Sequence, residues 1–277
     1  MGVRGLLSYC RPIQRHLKDP GNLRLGVDAF CILYLFKENK AGLEEYLKSL
    51  VSKGHTLTII IDGRAPKEKR ETIEQRAAQR EAAAQEADDL TTFTQSEHFT
   101  ELTEDQQRVL KKELDKHKKT AWSLSGEHVR WFRGVCEGLG GSATAAAATI
   151  QVKWAAAEAD EELAAGDFDA VISGDSDLLL HGVRRLWIPF GSQVVKHTEI
   201  VGQEFKRMIG LEGERLYELA YLAGCDVQPV SLAPIKIAIS WLRFYGSLEA
   251  VAKRFPDKVS QANVEDYKRL KESVWAH

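Results

Sequence analysis

The chain has 277 residues, 44% of them hydrophobic and 28% charged, and a formal net charge of −2. This length supports a sizeable core in one large domain or two smaller ones, and the composition is ordinary for a globular chain rather than a disordered or fibrous one. No apolar run approaches the roughly 20 residues needed to span a bilayer, so no membrane partner is expected, and the near-neutral charge leaves any nucleic-acid contact to local basic patches. Cys10, Cys31, Cys136 and Cys225 are scattered and form no C-x-x-C pair, which argues against a zinc site or a disulfide framework and for a reducing compartment, with Cys31 and Cys225 expected in the core. The opening MGVRGLLSYCRP lacks the apolar region of a secretory signal; Arg4, Arg11 and Arg15 match a transit peptide only loosely. A nuclear or otherwise intracellular location is expected over organelle import.

In chain order, LRLGVDAF (23–30) is the first expected strand, apolar without clean alternation, as where both faces are covered, and carrying Asp28 near its end. AGLEEYLKSLVSKG (41–54) sets Leu43, Tyr46, Leu47 and Leu50 on one helix face and stops at Gly54. LTIIIDG (57–63) is a second buried strand, ending at Asp62. The character then changes: KEKRETIEQRAAQREAAAQEADD is a charged, alanine-rich helix former with little apolar face, and TTFTQSEHFTELTEDQQ reads as a polar loop in which Thr103 and Gln106 cap the next helix. That helix, to about residue 119, bears Lys111, Lys112, Lys116, Lys118 and Lys119. A solvated face is the plain explanation of such a run; its place between acid-bearing strands favours a mobile cap over a site.

GLGGSATAAAATIQVKW (138–154) is small and flexible at first, and AAAEADEELAAGD begins a helix. DAVISGDSD (169–177) is a third buried strand, with Asp175 and Asp177, and RRLWIPF (184–190) a fourth. Short helices follow over 211–227 and beyond, with a turn at Gly246 and Ser247, and no repeat of solenoid period is present. Strand, helix, strand order implies an α/β fold with a central, mainly parallel sheet flanked by helices. Sites in such sheets form outside the carboxyl ends of the strands, where Asp28, Asp62 and Asp175 fall.

Adding Glu158, Asp160, Asp177 and Asp226 gives seven carboxylates, more than an acid/base pair needs and costly to gather without cations. The donor type suits Mg²⁺, as two ions roughly 4 Å apart, with Mn²⁺ as a substitute. Glu158 and Asp160, two apart, share no helix face and would both reach an ion only near a helix start or through water; Asp175 and Asp177 share a side if their segment is extended. Taken singly, each acid is as well explained by a cap, a turn or a surface charge.

The segments MGVRGL, GVDAFCILY, IIDGRAPKEKRETIEQR, AAAEADEELA, ISGDSDLLLHG and YLAGCD, in this order, resemble the structure-specific 5′-nucleases of the flap endonuclease, exonuclease-1 and XPG type, over nearly the whole chain. The resemblance implies a PIN-like core with a helical arch and a C-terminal helical DNA-binding region: a nuclease region over 1–79, the arch over 80–125, a second nuclease region over 126–222 and a degenerate helix-two-turn-helix with following helices over 223–277. It implies that the seven acids hold metal and that Lys69 and Arg76 are the basic catalytic residues, on nearly one helix face by their spacing. It gives substrate contacts to Gly2, Phe30 and Tyr34, and Lys111, Lys112, Lys116 and Lys236 are the expected electrostatic contacts. Two departures accompany it. Ala233-Pro234 stands where the family has a glycine turn, and no clear sliding-clamp motif precedes His277, which leaves a longer parent or a partner-dependent protein open.

The leading expectation is a divalent-metal-dependent 5′-nuclease, flap endonuclease or 5′-3′ exonuclease, in DNA replication, repair or recombination. It would act as a monomer on DNA with a 5′ flap, a 5′ end or a single-strand/duplex junction, with RNA an open substrate. The alternative is a catalytically weak nuclease-fold protein serving as an RNA-binding or assembly scaffold.

Overall fold

The computed structural model describes residues 2–140, 149–191 and 195–275, in two units, Met1–Lys69 with Glu127–His277 and, separately, Arg70–Gly126. The first unit opens with the short helix α1 (Leu6–Tyr9) and strand β1 (Arg15–His16). In β2 (Arg24–Asp28), Leu25, Gly26 and Val27 are buried, and the terminal Asp28 caps α2 (Ala29–Phe36), its Oδ1 accepting from Cys31 N at 3.0 Å. The helix α3 (Lys40–Ser52) buries the four expected residues Leu43, Tyr46, Leu47 and Leu50, and Gly54, at φ 82°, turns the chain into β3 (Thr56–Ile61).

Helices α4 (Arg70–Thr94), α5 (Glu97–Thr100) and α6 (Glu104–Ala121) make the second unit. The chain continues through α7 (Gly126–Leu139), β4 (Ile150–Trp154), α8 (Ala159–Ala165), β5 (Ala170–Ile172), α9 (Asp177–Leu180), β6 (Arg185–Phe190) and β7 (Lys196–Val201). Five helices end it: α10 (Gly202–Ile209), α11 (Glu214–Ala223), α12 (Ile235–Tyr245), α13 (Leu248–Arg254) and α14 (Gln261–Val274).

Among the described residues, seven strands form one sheet in the order β1-β7-β6-β5-β2-β3-β4. The run β6-β5-β2-β3-β4 is parallel, while β7 pairs antiparallel with both β6 and β1. Parallel neighbours need crossovers, and α2 with α3 supplies the one from β2 to β3. Val27, Ile59, Ile172 and Trp187 are fully buried, as expected of strands covered on both faces. A core of α1, α8, α9 and the C-terminal helices, around Leu6, Leu178, Phe205, Leu219, Tyr221 and Leu242, packs as one cluster. Gly246 (φ 86°) and the cap Ser247 make the expected turn between α12 and α13, and the buried Glu218 also receives Leu248 N at 3.0 Å. Among the described residues, no helix is long and apolar enough to cross a membrane.

Within the second unit, Ala83, Ala87, Phe99 and Leu114 are buried, and the Phe93 and Phe99 rings meet edge to face at 6.3 Å. The expected capping box holds, Thr103 Oγ1 accepting from Gln106 N and Gln106 Oε1 from Thr103 N. The segment beginning at residue 91 is not the polar loop expected of it. The α4 helix runs on to Thr94 and α5 follows, with the Phe93 and Phe99 rings in apolar contact; Thr91 and Thr92 satisfy their hydroxyls within the helix on Ala87 O and Asp88 O, at 2.7 and 3.0 Å. The arch expected over 80–125 lies within this unit, which begins at Arg70.

The sequence 138–154, expected as flexible at its start, ends in β4, whose IQVKW pattern pairs Ile150 through Trp154 with Leu57 through Ile61; residues 141–148 lie outside the described residues. Gly63 shows how closely β3 and the β4–α8 loop approach: its N donates to Ala157 O at 2.7 Å, and a Cβ there would stand 2.3 Å from Ala155 O. Because both obstacles are backbone, Gly63→Ala is expected to cost about 1–3 kcal/mol and lower the Tm by roughly 3–10 °C in a thermal melt. An unchanged Tm would show that the loop can yield.

Candidate metal centre

The parallel pairing sets three acid-bearing strand ends side by side. Asp28 closes β2, Asp62 follows β3 directly, and Asp175 lies three residues past β5, with β2 paired to both of the others. Asp28 is half-buried between its two neighbours: Oδ1 takes Cys31 N, and Oδ2 takes the Ser173 hydroxyl at 2.7 Å. Asp62 Oδ1 accepts from Ala159 N at 2.7 Å, tying the β3 end to the start of α8. Glu158 is the N-cap residue of α8 and Asp160 sits in its first turn, so these two acids, which share no helix face, both lie at a helix start. Asp226 lies in the loop after α11.

The expected strand over 169–177 is shorter than the sequence implied. β5 spans three residues, and Ser173 to Ser176 form a turn into α9, so Asp175 and Asp177 do not share one side of an extended segment. Instead Asp175 N donates to Ser173 Oγ at 3.0 Å and Asp177 N to Asp175 Oδ1 at 2.9 Å. Ser173 was not among the expected site residues, although the serine in ISGDSD was the available signal. Cys31 was expected in the core but is half-buried at this site, where Gly174 N donates to its Sγ at 3.0 Å.

Lys69 closes a 3₁₀ turn (Lys67–Lys69) and places Nζ 2.7 Å from Glu158 Oε1. The single helix expected to carry both Lys69 and Arg76 is therefore broken at Arg70: Lys69 belongs to the first unit, Arg76 to α4 of the second. Gly2 is buried at φ 65°, and a Cβ on it would stand 2.3 Å from both Asp175 Oδ1 and Ser176 Oγ. Only a glycine lets backbone run this close to the acids. Phe30 and Tyr34 sit one turn apart on α2, Phe30 half-buried and Tyr34 exposed. Lys111, Lys112 and Lys116 are exposed on α6; Lys111 lies over the Phe99 ring at 5.6 Å and Lys116 pairs with Glu113 at 2.9 Å. Lys236 is exposed in the first turn of α12. Before it, Leu232 N and Ala233 N both donate to Leu222 O, and Arg4 binds Gly224 O and Pro229 O, so the altered turn is held by backbone contacts to α11 and the N-terminal segment.

Burial and mutual repulsion decide the charge state of the cluster. Burial, opposed by the Cys31 and Ser173 hydrogen bonds and reinforced by Asp62 and Asp175, pushes Asp28 up to about 6. Burial and then Asp175 push Asp177 up to about 7, and burial with Asp175, Asp28 and Asp177 holds Asp160 well above the ordinary carboxylate range. Glu158 is raised by burial against the pull of Lys69. Burial works against the charged Lys69, yet Glu158 beside it keeps the ammonium favoured and its pKa raised.

An all-oxygen donor set of this kind matches a hard divalent cation. Asp177 Oδ1 is a buried acceptor with no hydrogen-bond partner among the described residues. Among the described residues no three His, Cys, Asp or Glu side chains are already gathered as a shell for one ion. Asp28, Asp62 and Asp175 instead accept from backbone amides or Ser173, and Glu158 pairs with Lys69.

No protein-family model matches the chain. The flap endonuclease 1 of Methanopyrus kandleri is 28% identical over 283 residues, spanning 90% of this chain and 74% of that protein. Two solved structures share the fold: the catalytic core of Rad2 in complex with DNA substrate, at TM-score 0.60 and 18% identity over 98% of this chain and 80% of that one, and flap endonuclease-1 from Methanococcus jannaschii, at TM-score 0.58 and 18% identity over 93% and 81%. With acids at or just past the ends of β2, β3 and β5, the chain is thus similar to a flap endonuclease 1 along nine-tenths of its length and shares the fold of these nucleases.

Proposed function

We propose that the protein is a divalent-metal-dependent, structure-specific 5′-nuclease that hydrolyses DNA phosphodiesters at a single-strand/duplex junction or 5′ end. The observation that carries this reading is the convergence of Asp28, Asp62 and Asp175 at the ends of three adjacent parallel strands, with a buried oxygen of Asp177 that has no hydrogen-bond partner among the described residues. DNA as partner is supported by the Rad2 relative, which was solved with a DNA substrate. Mg²⁺ is the proposed ion and Mn²⁺ its substitute, held by Asp28, Asp62, Glu158, Asp160, Asp175, Asp177 and Asp226. Bound there, divalent ions supply Lewis acidity, polarising the phosphoryl oxygen and activating water.

The chain's own groups account for the rest. Lys69, released from Glu158, offers an ammonium to a non-bridging oxygen of the scissile phosphate and stabilises charge gathering there. Arg76 has the same proposed role from the second unit. Water adds to phosphorus, the P–O3′ bond breaks, and the products carry a 5′-phosphate and a 3′-hydroxyl. Tyr34 and Phe30 offer ring faces to a base next to the cleaved bond, where stacking can contribute about 1–3 kcal/mol without sequence preference. Gly2, without a side chain, leaves Asp175 accessible. Lys111, Lys112 and Lys116 attract the single strand electrostatically, and Lys236 takes a duplex phosphate.

The scaffold alternative draws on Ala233-Pro234 in place of the glycine turn and on the near-neutral net charge. It predicts normal metal binding with no cleavage of any substrate. The nuclease reading predicts cleavage of 5′-labelled flap or nicked duplex in Mg²⁺ or Mn²⁺, abolished by Asp175→Ala and reduced at least tenfold by Lys69→Ala, an order expected of a lost electrostatic contact. Cleavage unaffected by Asp175→Ala would rule out the proposed centre.

Proton and cation compete for the same oxygens. Because Asp177 and Asp28 are raised to about 7 and about 6, the metal-free native state binds more protons than the unfolded chain between their ordinary range and pH 7. Their contribution to stability therefore falls as pH rises through that window, and a cation restores it. Mn²⁺ should raise the Tm more at pH 8 than at pH 5.5, and Asp177→Asn should raise the metal-free Tm at pH 8 by roughly 2–6 °C while shrinking the Mn²⁺ response. Equal Mn²⁺ shifts at both pH values would contradict this assignment of charge.

A further inference from the structure

Asp226 is placed differently from the strand-end acids. It lines one cavity with Lys69, Glu158, Asp160 and Asp177, yet it lies in the loop after α11, where neither a strand end nor a helix start sets its position. Inside that loop Cys225 N donates to Gln228 O at 2.8 Å, and the Gln228 side chain bonds the Tyr221 hydroxyl. These bonds shape the turn and hold it to its own helix. Arg4 ties it to another part of the chain: its backbone N donates to Gly224 O and its Nη2 to Pro229 O, both at 2.8 Å. The two bonds bracket Asp226 in sequence.

The segment that carries Arg4 is itself fixed against the other acids. Val3 and Leu6, on either side of it, are buried, and Gly2 lies so close to the turn before α9 that a Cβ on it would meet Asp175 Oδ1 and Ser176 Oγ. Ser176 Oγ donates to Val3 O at 3.5 Å. Gly5 is seated against Ile235 at the start of α12, where a Cβ would stand 3.2 Å from the Ile235 Cγ2. Residues 2–5 therefore run from the turn bearing Asp175 and Asp177 to the loop bearing Asp226, and Arg4 makes the far connection.

We propose that Arg4 is a positioning residue for the metal centre: by holding the 224–229 loop to the N-terminal segment, it sets Asp226 at a fixed place relative to Asp175 and Asp177. The proposal rests on the reading of these acids as cation ligands. A surface hydrogen bond exchanges with water and adds modestly to global stability, so the effect of this one falls on the loop it restrains. A cation that uses Asp226 binds in full only to the fraction of molecules whose loop is in place, and freeing the loop weakens its apparent affinity by that fraction.

The test is a Mn²⁺ titration followed by electron paramagnetic resonance, on wild type, Arg4→Met, Arg4→Lys, Asp226→Asn and the double variant Arg4→Met/Asp226→Asn. Arg4→Met keeps the aliphatic stem and loses the donors; it should weaken Mn²⁺ binding about 3–10-fold. Arg4→Lys keeps a cationic donor and should recover part of that loss. In the Asp226→Asn background, Arg4→Met should have no further effect, because a positioning residue acts only through the carboxylate it positions. Unchanged Mn²⁺ affinity in Arg4→Met, or an equal loss with and without Asp226, overturns the assignment while leaving the metal centre in place. If wild type binds no Mn²⁺, the metal-centre reading fails and the hold of Arg4 on the loop is judged by amide hydrogen exchange. Faster exchange at Cys225, Asp226 and Val227 in Arg4→Met then supports that hold, and equal exchange overturns it.

Discussion

Like charges crowded at the ends of adjacent parallel strands are the constraint on which the rest of this molecule turns. The β2, β3 and β5 backbones bring Asp28, Asp62 and Asp175 together whether or not their charges allow it. The protein lowers the cost in several ways. Backbone amides at Cys31, Ala159 and Asp177 and the hydroxyl of Ser173 donate to the carboxylates, Lys69 pairs with Glu158, and burial raises the pKa values of Asp28, Asp160 and Asp177, easing their protonation. None of these devices satisfies Asp177 Oδ1. A core that tolerates this arrangement is more economically explained by a cation than by structural need, since apolar residues at the same places would fold with less penalty.

The same constraint explains the surrounding architecture. The N-terminal segment can lie against Asp175 only through a residue without a side chain, which Gly2 provides. Gly63 lets β3 end against Ala155 and Ala157, so that Glu158 starts α8 next to Asp62. The hydrophobic cluster around Leu178, Phe205, Leu219 and Leu242 backs the acids directly, Leu178 following Asp177 and Ala159 standing between Glu158 and Asp160. The second unit, with its own buried Phe99 and Leu114, leaves from Lys69 and rejoins at Glu127. Long polar insertions of this kind are tolerated because closing a longer loop adds little entropy cost.

Much of this was legible in the sequence, for a physical reason. A strand covered on both faces has no polar residue to spare, so an Asp at its end stands out, as Asp28 and Asp62 do. The helix face of Leu43, Tyr46, Leu47 and Leu50 and the Thr103/Gln106 cap are equally local signals. Less legible was whatever depends on partners distant in sequence. β4 is defined by pairing with β3 across almost a hundred residues, Ser173 matters only because Asp28 lies beside it, and the break between Lys69 and Arg70 leaves no mark in a run of charged helix formers. Polar composition misled over 91–107, where threonines satisfy their hydroxyls on the preceding turn and two phenylalanines supply an apolar contact.

The pairing of β2 with its two neighbours has a further consequence for how such a chain can diverge. The alignment that sets Asp28 opposite Ile60 is made by backbone hydrogen bonds, which are indifferent to side-chain identity. Apolar residues along these strands can therefore exchange for others of similar volume without shifting that alignment. A one-residue insertion or deletion within a strand cannot be absorbed that way: it would turn every following side chain to the opposite face and carry the terminal carboxylate away from its companions. Drift by substitution, with strand lengths frozen, is the expected history of a fold still shared at 18% identity with Rad2.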